Sequence, residues 1–284
     1  MNKVGLLVCG NSGIDYENVD FPYEILRSKL IIEGEEYEDY VDITADEFYD
    51  KLNENPNLQI STAMISPGEV LEKVEALKAK GYKEIIAVVI SSGLSGTYQT
   101  VKITTDELED VKVYVVDSLS VTFGQLIQIY EAIKLINEGK SALEIFNYLE
   151  EFKKKVEIYV LVDTLKYLVK NGRLSATSGM LGSLLKIKPL LKIDETGHLV
   201  PFQKIRTSSK ARKRLIEIAK GLIDEGIRPE LYLAYTDNKE YVEGIKDEIL
   251  EYAPNLNITI VPLTPVVGAH AGPGTCGFGV ILKN

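Results

Sequence analysis

The sequence predicts an α/β protein whose first half forms a parallel sheet. Three apolar runs rich in β-branched residues, Val4 to Cys9, Lys83 to Ile90 and Val111 to Asp117, have the length and composition of buried strands. Helical patterns lie between these runs, and strands that alternate with helices are typical of a parallel sheet covered on both faces. The chain of 284 residues is also long enough for about two domains.

The helices of the first half are predicted from their periodicity and their start signals. One helix is expected to begin at Pro67 and to run through Ala79, because proline is favoured in the first helical turn. Two further helical patterns cover Gly96 to Glu107 and Thr122 to Gly139. These three helices supply apolar faces for the two sides of the sheet.

The second half has a different pattern. Two strand-like runs, KPLLKID and GHLVPFQKI, are separated by the turn residues Glu195 to Gly197 and are expected to form a hairpin. A domain boundary near Val156 divides the chain into residues 1–156 and 157–284. Three further strands are predicted at Leu231 to Tyr235, Ile258 to Pro262 and Cys276 to Leu282. Two helices are predicted at Ser208 to Asp224 and Lys239 to Tyr252.

Composition narrows the class of function. With 45% hydrophobic and 26% charged residues, the chain resembles folded rather than disordered proteins. The net charge of -10 argues against a general nucleic-acid-binding protein. Two histidines are too few for a multi-histidine metal centre, and Cys9 and Cys276 form no CxxC pair, so we expect no metal and no cofactor. The apolar run Val4 to Cys9 is too short for a membrane span or a signal-peptide core, so we expect a cytoplasmic protein.

Small hydroxyl and glycine residues follow the strands of the predicted parallel sheet. Cys9 is followed by GNSG, Ile90 by SSGLSGT and Val116 by DSLS. In open α/β sheets, ligands bind at the carboxyl ends of the strands. The loop Ser91 to Gln99 is the most informative, because its glycines allow close approach and the helix start that follows favours an anion such as a phosphate or a carboxylate. It lacks the lysine of a P-loop.

Other candidate residues lie outside this loop. Thr62 precedes a predicted helix, where a hydroxyl can cap the helix or contact a ligand. His270 lies in the glycine-rich tail GAHAGPGTCGFG, whose small residues leave its imidazole able to donate to an anion. Arg173 follows a helix end and suits a helix C-terminal charge or a surface ion pair. Lys204 and Arg206 belong to a cationic stretch that is either a solvated face or a docking site for a phosphorylated ligand or an acidic partner.

Two rival functions follow from the same residues. Ser92 or Ser95, together with His270 and Asp117, supply the residue types of a hydrolase or transferase triad. The G-x-S-x-G nucleophile elbow is missing from the loop, which argues against this chemistry. The second rival is a module that binds a small phosphorylated ligand at the glycine-rich loop.

Taken together, the motifs resemble those of the DegV family of fatty-acid-binding proteins, and the resemblance covers almost the whole chain. Its motifs, in chain order, are Ser12 with Asp15, Thr62 with Ser66-Pro67, SSGLSGTYQ at 91–99, VVDS at 115–118, DTLKYLVKNGRLS at 163–175, IKPLL at 187–191, KIRTSSKA at 204–211 and GAHAGPG at 268–274. The chain departs from the family pattern at Asn11, where an aspartate is usual. It departs again at 63–65, where Ala-Met-Ile replaces Ser-Gln-Pro.

The resemblance implies a two-domain α/β fold with a long-chain fatty acid between the domains. Residues 1–156 would form the domain with the parallel sheet, and residues 157–284 a second domain with a mixed sheet. The resemblance implies that the fatty acid carboxylate is held by Thr62, by Ser92 or Ser95, and by His270.

The resemblance also implies a lipid-binding subunit that carries no catalytic residue of its own. Family members of this kind present the fatty acid to a separate fatty acid kinase, which makes an acyl phosphate for phospholipid metabolism, with an acyltransferase as a further partner. Arg173, Lys204 and Arg206 then become candidates for contacting the phosphorylated head group or the partner. No nucleic-acid partner and no integral membrane segment are implied.

Overall fold

The computed structural model describes residues 4–175 and 188–283. The sequence predicts a helix and loop over DTLKYLVKNGRLSATSGMLGSLL, residues 163–185, and this stretch is followed by the motif IKPLL at 187–191. Residues 176–187, which include part of both, lie outside the described residues.

Strands and helices alternate along most of the chain. Three short 3-10 helices cover Gly10–Ser12, Ile14–Tyr16 and Lys153–Lys155. The main elements are β1 (Val4–Cys9), β2 (Glu24–Leu26), β3 (Lys29–Ile32), β4 (Glu35–Glu38), α1 (Ala45–Glu54), β5 (Ile60–Ala63), α2 (Pro67–Ala79), β6 (Glu84–Val89), α3 (Thr97–Asp106), β7 (Lys112–Asp117), α4 (Phe123–Asn137), α5 (Ala142–Phe152), β8 (Val156–Leu161), α6 (Lys166–Lys170), β9 (Lys188–Ile193), β10 (Leu199–Ile205), α7 (Ser208–Gly226), β11 (Ile227–Tyr235), α8 (Lys239–Tyr252), β12 (Asn257–Pro262), α9 (Pro265–Ala271) and β13 (Cys276–Leu282).

The predicted parallel sheet is confirmed. It has four strands in the order β2-β1-β6-β7, and all neighbouring pairs are parallel. Helices α2 and α3 cover one face, where Val74 and Val101 pack in one cluster with Leu7. Helices α4 and α5 cover the other face, where Leu126 packs with Leu6. Because neighbouring residues of β1 point to opposite faces, the strand must be apolar throughout, as its sequence is.

The start of α2 illustrates how local sequence fixes an element of this sheet. Ser66 caps the helix by accepting from the Glu69 N–H at 3.3 Å, and the Glu69 carboxylate accepts from the Ser66 N–H at 2.7 Å. Pro67 occupies the first turn, where it has no N–H to leave unpaired. This reciprocal capping box explains why the predicted start of the helix agrees with the structure.

A small antiparallel sheet, with the order β4-β3-β5, was not predicted. Its strands are only four residues long, and β4 is mostly glutamate, so the sequence carries little hydrophobic pattern there. Leu30 of this sheet packs with Phe48 of α1 and Val266 of α9. The sheet thereby joins the first half of the chain to a helix near its end.

The second sheet is mixed, as the resemblance implied. Its six strands have the order β10-β9-β8-β13-β11-β12, and only the β11–β12 pair is parallel. The predicted β9–β10 hairpin is present, with a register shift between Pro201 and Gln203. Helices α7 and α8 cover one face, where Leu215 and Ile245 pack with Phe278. The opposite face, on the side of the parallel sheet, forms part of a cavity.

Candidate functional site

A cavity of about 260 Å³ lies between the six-stranded sheet and the loops that follow the parallel strands. On the loop side it is lined by residues that follow β1, β6 and β7, including Asn11, Ser95 and Val121. These are the carboxyl ends of the parallel strands, where the sequence predicted a ligand site. The cavity thus brings together segments from both halves of the chain.

The floor of the cavity is a furrow in the six-stranded sheet. Gly277 lies opposite Val160 and Ala234 on the two neighbouring strands, and Gly279 lies opposite Ile158 and Tyr232. Side chains two residues apart along a strand point to the same face, and all six residues line the cavity. Because Gly277 and Gly279 of the central strand have no side chain on this face, the flanking side chains form two walls with an open strip between them.

Apolar side chains from the first half of the chain face this furrow. They include Ile90, Leu94 and Val121, and further apolar lining comes from Leu263 and Val266. Cavities of this composition favour ligands with extended apolar surface, because burying that surface is favourable.

Thr62 and His270 form the most specific polar contact of the cavity. The Thr62 Oγ1 and His270 Nε2 atoms lie 2.9 Å apart, and both residues line the cavity. Thr62 is carried by β5 and His270 by α9. These two elements are held together by the apolar cluster of the small sheet. The structure thus joins two residues that the resemblance had assigned to one carboxylate site.

The sequence did not predict helix α9. The tail has the composition of a glycine-rich loop, whereas residues Pro265–Ala271 form a short helix with proline in its first turn. Thr264-Pro265 is a recognisable helix start, so the signal was present. Gly268 is required in this helix because a side chain there would clash with the Tyr49 ring, whose hydroxyl donates to the Leu263 carbonyl at 2.9 Å.

His270 is uncharged near neutral pH. Burial, and to a smaller extent the nearby Arg173 guanidinium, together lower the pKa of its imidazole to about 4. The Nδ1 atom is buried and has no hydrogen-bond partner among the described residues. A buried N–H without an acceptor is rarer than an unpaired acceptor, so we assign the proton to Nε2. In this tautomer Nε2–H donates to Thr62, whose own hydroxyl hydrogen can then point to a ligand.

Ser95 also lines the cavity, on the side of Thr62 and His270, which we call the polar side. Its Oγ lies 2.9 Å from the Thr97 hydroxyl oxygen and accepts from the Thr97 N–H at 3.2 Å. Ser92 takes a different position: it is exposed, its N–H donates to Asp117 Oδ1 at 3.1 Å, and it is not among the cavity-lining residues. Of the two serines named from the sequence, the structure brings Ser95 to the cavity.

The loop that carries Ser95 is fixed by the second half of the chain. The Ser91 hydroxyl donates to the Gly197 carbonyl at 2.8 Å, in the turn between β9 and β10. A Cβ atom at Gly93 would lie 2.7 Å from that same carbonyl oxygen, so only glycine allows the loop to approach the turn. This contact explains the glycine at position 93 and places the loop over the furrow.

Arg173 supplies a positive charge at the polar side of the cavity, which it helps to line. Its Nε donates to the Leu94 carbonyl at 3.3 Å, and its Nη1 donates to the Asn171 carbonyl at 2.5 Å. The Asn171 amide in turn donates to the Ala269 carbonyl of α9 at 3.1 Å. A chain of contacts therefore connects the loop of Ser95 to the helix of His270.

Lys204 and Arg206 lie elsewhere. Lys204 is on β10, an edge strand of the six-stranded sheet, and Arg206 follows that strand. Both are exposed, and neither is among the residues that line the cavity in the described part of the chain. The structure does not bring them together with Thr62 and His270.

The motif residues after β1 have structural partners. The Ser12 hydroxyl donates to the Cys9 carbonyl at 2.8 Å. Asp15 accepts two hydrogen bonds from the Arg27 guanidinium, each at 2.6 Å. This bidentate pair anchors the turn after β1 to the segment between β2 and β3.

The geometry does not form the hydrolase triad considered from the sequence. His270 contacts Thr62, Ser95 contacts Thr97, and Asp117 accepts from the N–H groups of Ser92 and Leu119. What the polar side offers is a set of hydroxyls, a neutral imidazole and one guanidinium beside an apolar furrow. Such a set can bind a carboxylate whose attached chain is apolar.

Comparison with known protein families decides the classification. The family model described as DegV matches residues 19–283. This chain belongs to the DegV family. A DegV domain-containing protein of Clostridium acetobutylicum is 33% identical and covers 100% of both chains. Another from Staphylococcus aureus is 35% identical over 91% of each chain. The resemblance stated from the sequence motifs is confirmed.

Solved structures of DegV proteins share the architecture. The fatty acid binding DegV family protein of Streptococcus agalactiae matches with a TM-score of 0.90 at 28% identity and covers 100% of both chains. DegV of Bacillus subtilis, described as a fatty acid binding protein, matches with a TM-score of 0.88 at 27% identity, again over 100% of both chains. The predicted α/β class, with one parallel and one mixed sheet, is therefore the fold of this family.

Within residues 4–175 and 188–283, no helix is both long and apolar enough to cross a bilayer.

Proposed function

We propose that this chain binds one long-chain fatty acid, with the acyl chain in the furrow and the carboxylate at Thr62, Ser95 and His270. The proposal is supported by an apolar cavity with one polar side. There Thr62 contacts His270, and contacts of Arg173 and Asn171 link the loop of Ser95 to the helix of His270. The two DegV structures described as fatty acid binding, from Streptococcus agalactiae and Bacillus subtilis, support it. In this proposal the ligand lies between two domains, residues 1–156 and 157–284.

The energetics of the proposed complex suit a lipid. Each buried methylene contributes about 0.8 kcal/mol, so about a dozen of them contribute roughly 10 kcal/mol. That gain offsets the entropy of ordering the chain and of association. Desolvating the carboxylate is the main cost, and hydrogen bonds from hydroxyl groups reduce it.

The polar side has distinct roles for its residues. The Thr62 hydroxyl, whose oxygen already accepts from His270 Nε2–H, would donate its hydrogen to one carboxylate oxygen. Ser95 would donate to the other. Arg173 would supply the compensating positive charge, because His270 is neutral at the pH of the cell. In this arrangement the ligand is held by charge-assisted hydrogen bonds.

We further propose that the bound fatty acid is presented to a separate fatty acid kinase. A carboxylate oxygen would attack the γ-phosphorus of ATP on that kinase, ADP would leave, and an acyl phosphate would form for use by an acyltransferase in phospholipid metabolism. Access from outside is supported by Met64, which lines the cavity and is 55% exposed. Arg173, Lys204 and Arg206 are candidates for contacting the phosphorylated head group or the kinase, and the proposed location is the cytoplasm, where ATP is supplied.

Identifying the small molecules that the protein retains tests the binding proposal. The purified protein is denatured, and the released compounds are analysed by mass spectrometry. A fatty acid in about equimolar amount is the expected result. Repeated absence of any fatty acid, also after incubation with lipid, would refute the proposal, and a phosphorylated small molecule would support the rival binding module instead.

A second experiment separates the lipid-presenting role from catalysis. The fatty-acid-loaded protein is incubated with ATP alone and with ATP plus a bacterial fatty acid kinase, and acyl phosphate is trapped with hydroxylamine. Product is expected only when the kinase is present. Hydrolysis of an acyl ester by the isolated chain, abolished by Ser95→Ala, would favour the hydrolase instead.

A further inference from the structure

One end of the furrow is closed by two stacked aromatic rings. Phe123, the first residue of α4, and Tyr232 of β11 have ring centroids 3.8 Å apart and ring planes 18° apart, and both line the cavity. The Phe123 ring rests on Gly279, where any side chain would clash with it. Glycine at this position therefore allows an aromatic ring from the first half of the chain to lie directly on the central strand β13.

This aromatic pair lies at the end of the furrow that is distant from the polar side. Thr275, just before β13, donates its hydroxyl hydrogen to the Ala271 carbonyl at 3.0 Å, which places the start of the furrow beside α9 and His270. From Thr275 to Gly279 an extended strand advances about 13 Å. Beyond Gly279, the next residue on the same face is Ile281, which is buried in one cluster with Phe123 and Phe152. The furrow therefore ends in packed side chains.

The position of Phe123 is fixed by the backbone that precedes it. Thr122 has φ 53° and ψ −130°, a conformation that a β-branched residue rarely adopts. Its N–H donates to the Asn11 carbonyl at 3.1 Å, which anchors this turn to the loop after β1. Strained residues of this kind persist where the surroundings hold them, and they cluster at ligand sites. Phe123 itself is 3% exposed, so its ring has little room to move.

We propose that Phe123, seated on Gly279 and stacked on Tyr232, sets the greatest length of acyl chain that the cavity accepts. The proposal rests on the proposed fatty acid binding and adds a specificity-determining residue to it. Each methylene buried in the furrow should raise affinity roughly fourfold. The rise should stop when the terminal methyl group reaches the Phe123 ring, because longer chains must fold back or leave carbons in water.

Substitution of Phe123 tests the proposal. Wild-type protein, Phe123→Ala and Phe123→Leu are each incubated with an equimolar series of straight-chain saturated fatty acids, and the retained acids are identified by mass spectrometry. Phe123→Ala should shift the preferred length upward by about two carbons, and Phe123→Leu should give a smaller shift. Phe202→Ala is the matched control, because that ring packs on Tyr159, whose side chain lies in the cluster on the helix-covered face of the sheet.

The outcomes separate the two proposals. A folded Phe123→Ala protein that binds fatty acid with the wild-type length preference would overturn the role of Phe123 and leave fatty acid binding intact. Failure of the wild-type protein to retain any fatty acid would instead overturn the proposed function. If Phe123→Ala does not fold, Phe123→Leu decides, because leucine keeps most of the buried apolar volume: a shift supports the role and an unchanged preference refutes it.

Discussion

The Thr62 hydroxyl oxygen and the His270 Nε2 atom lie 2.9 Å apart, although 208 positions separate the two residues in the chain. A contact of this kind depends on the whole architecture. It requires the small sheet to hold β5 and the short helix α9 to pack on that sheet. The pair therefore belongs to the proposed head-group site and also depends on the packing of the small sheet against a helix near the end of the chain.

Removal of this pair should weaken fatty acid retention. Thr62→Ala combined with His270→Ala takes away one donor to the carboxylate and the group that orients it. Fatty acid affinity should fall by about tenfold or more, since the hydrogen bond lost is to a charged group and contributes about 1.5–3 kcal/mol. Titration with a fluorescent fatty acid measures the loss. Ser92→Ala, which changes an exposed hydroxyl outside the cavity, is the control, and equal retention by the folded double variant would contradict the assigned site.

The low pKa of His270 should appear as a pH dependence of stability. Its folded-state pKa is about 4 against a usual 6.5, so the unfolded state binds the extra proton when the pH falls through that window. Stability should therefore be complete above about pH 6.5 and fall towards pH 4, by up to about 3 kcal/mol. Asp39 has the opposite effect on stability over much of the same pH range. Burial raises its pKa to about 7, so its contribution to stability grows as the pH falls.

The contribution of His270 can be isolated by comparison with His270→Gln. Asp39 is present in both proteins, so its effect cancels in the difference between them. Urea unfolding at several pH values should show the variant gaining stability relative to wild type as the pH falls from 7 to 4. Parallel stability curves for the two proteins would show that the His270 pKa is not shifted by folding.

Arg173→Gln should affect both the ligand and the histidine. Loss of the guanidinium removes the positive charge beside the carboxylate, and fatty acid affinity should fall by about tenfold or more. The pKa of His270 should rise towards its usual value, because the Arg173 charge is one cause of its depression. NMR titration of the imidazole gives the pKa directly. Arg214→Gln, on the surface helix α7, is a control of the same charge change, and an equal effect there would point to net charge alone.

Gly93→Ala should disrupt the loop over the furrow. The added Cβ would lie 2.7 Å from the Gly197 carbonyl oxygen, so either the loop or the β9–β10 turn must move. A loss of about 1–3 kcal/mol of stability and weaker fatty acid retention are expected. Thermal unfolding and ligand titration measure the two effects. Gly221→Ala in helix α7 has nothing within 4 Å of its added Cβ and should be neutral or slightly stabilising.

The sequence predicted three of the four strands of the parallel sheet, because β1, β6 and β7 are continuous and mostly apolar, whereas β2 has only three residues and was not predicted. The small sheet was missed since β3 and β4 are short and β4 is charged, so their pairing is decided by tertiary contacts rather than by pattern. Helix α9 was missed because it lies in a glycine-rich segment, in which Gly268 allows close packing against Tyr49.

The sequence predicted which residue types form the candidate site but not how they are arranged. Thr62, His270 and the serine loop stood out by residue type and motif, and the structure brings Thr62, His270 and Ser95 to one cavity. The choice between Ser92 and Ser95 depends on the path of an irregular loop, which a turn of the other sheet fixes through Gly197. The furrow and its aromatic end wall depend on the register of three strands, and no single segment of sequence carries that information.

The contact between Ser91 and Gly197 has a thermodynamic consequence. The furrow belongs to the second half of the chain and the loops that follow the parallel strands to the first, so neither half alone encloses the cavity. A ligand bound in the cavity would therefore stabilise the docking of the two halves, and by linkage an interaction that strengthens their docking would raise the affinity for that ligand. Binding in the cavity and docking of the two halves are therefore coupled equilibria.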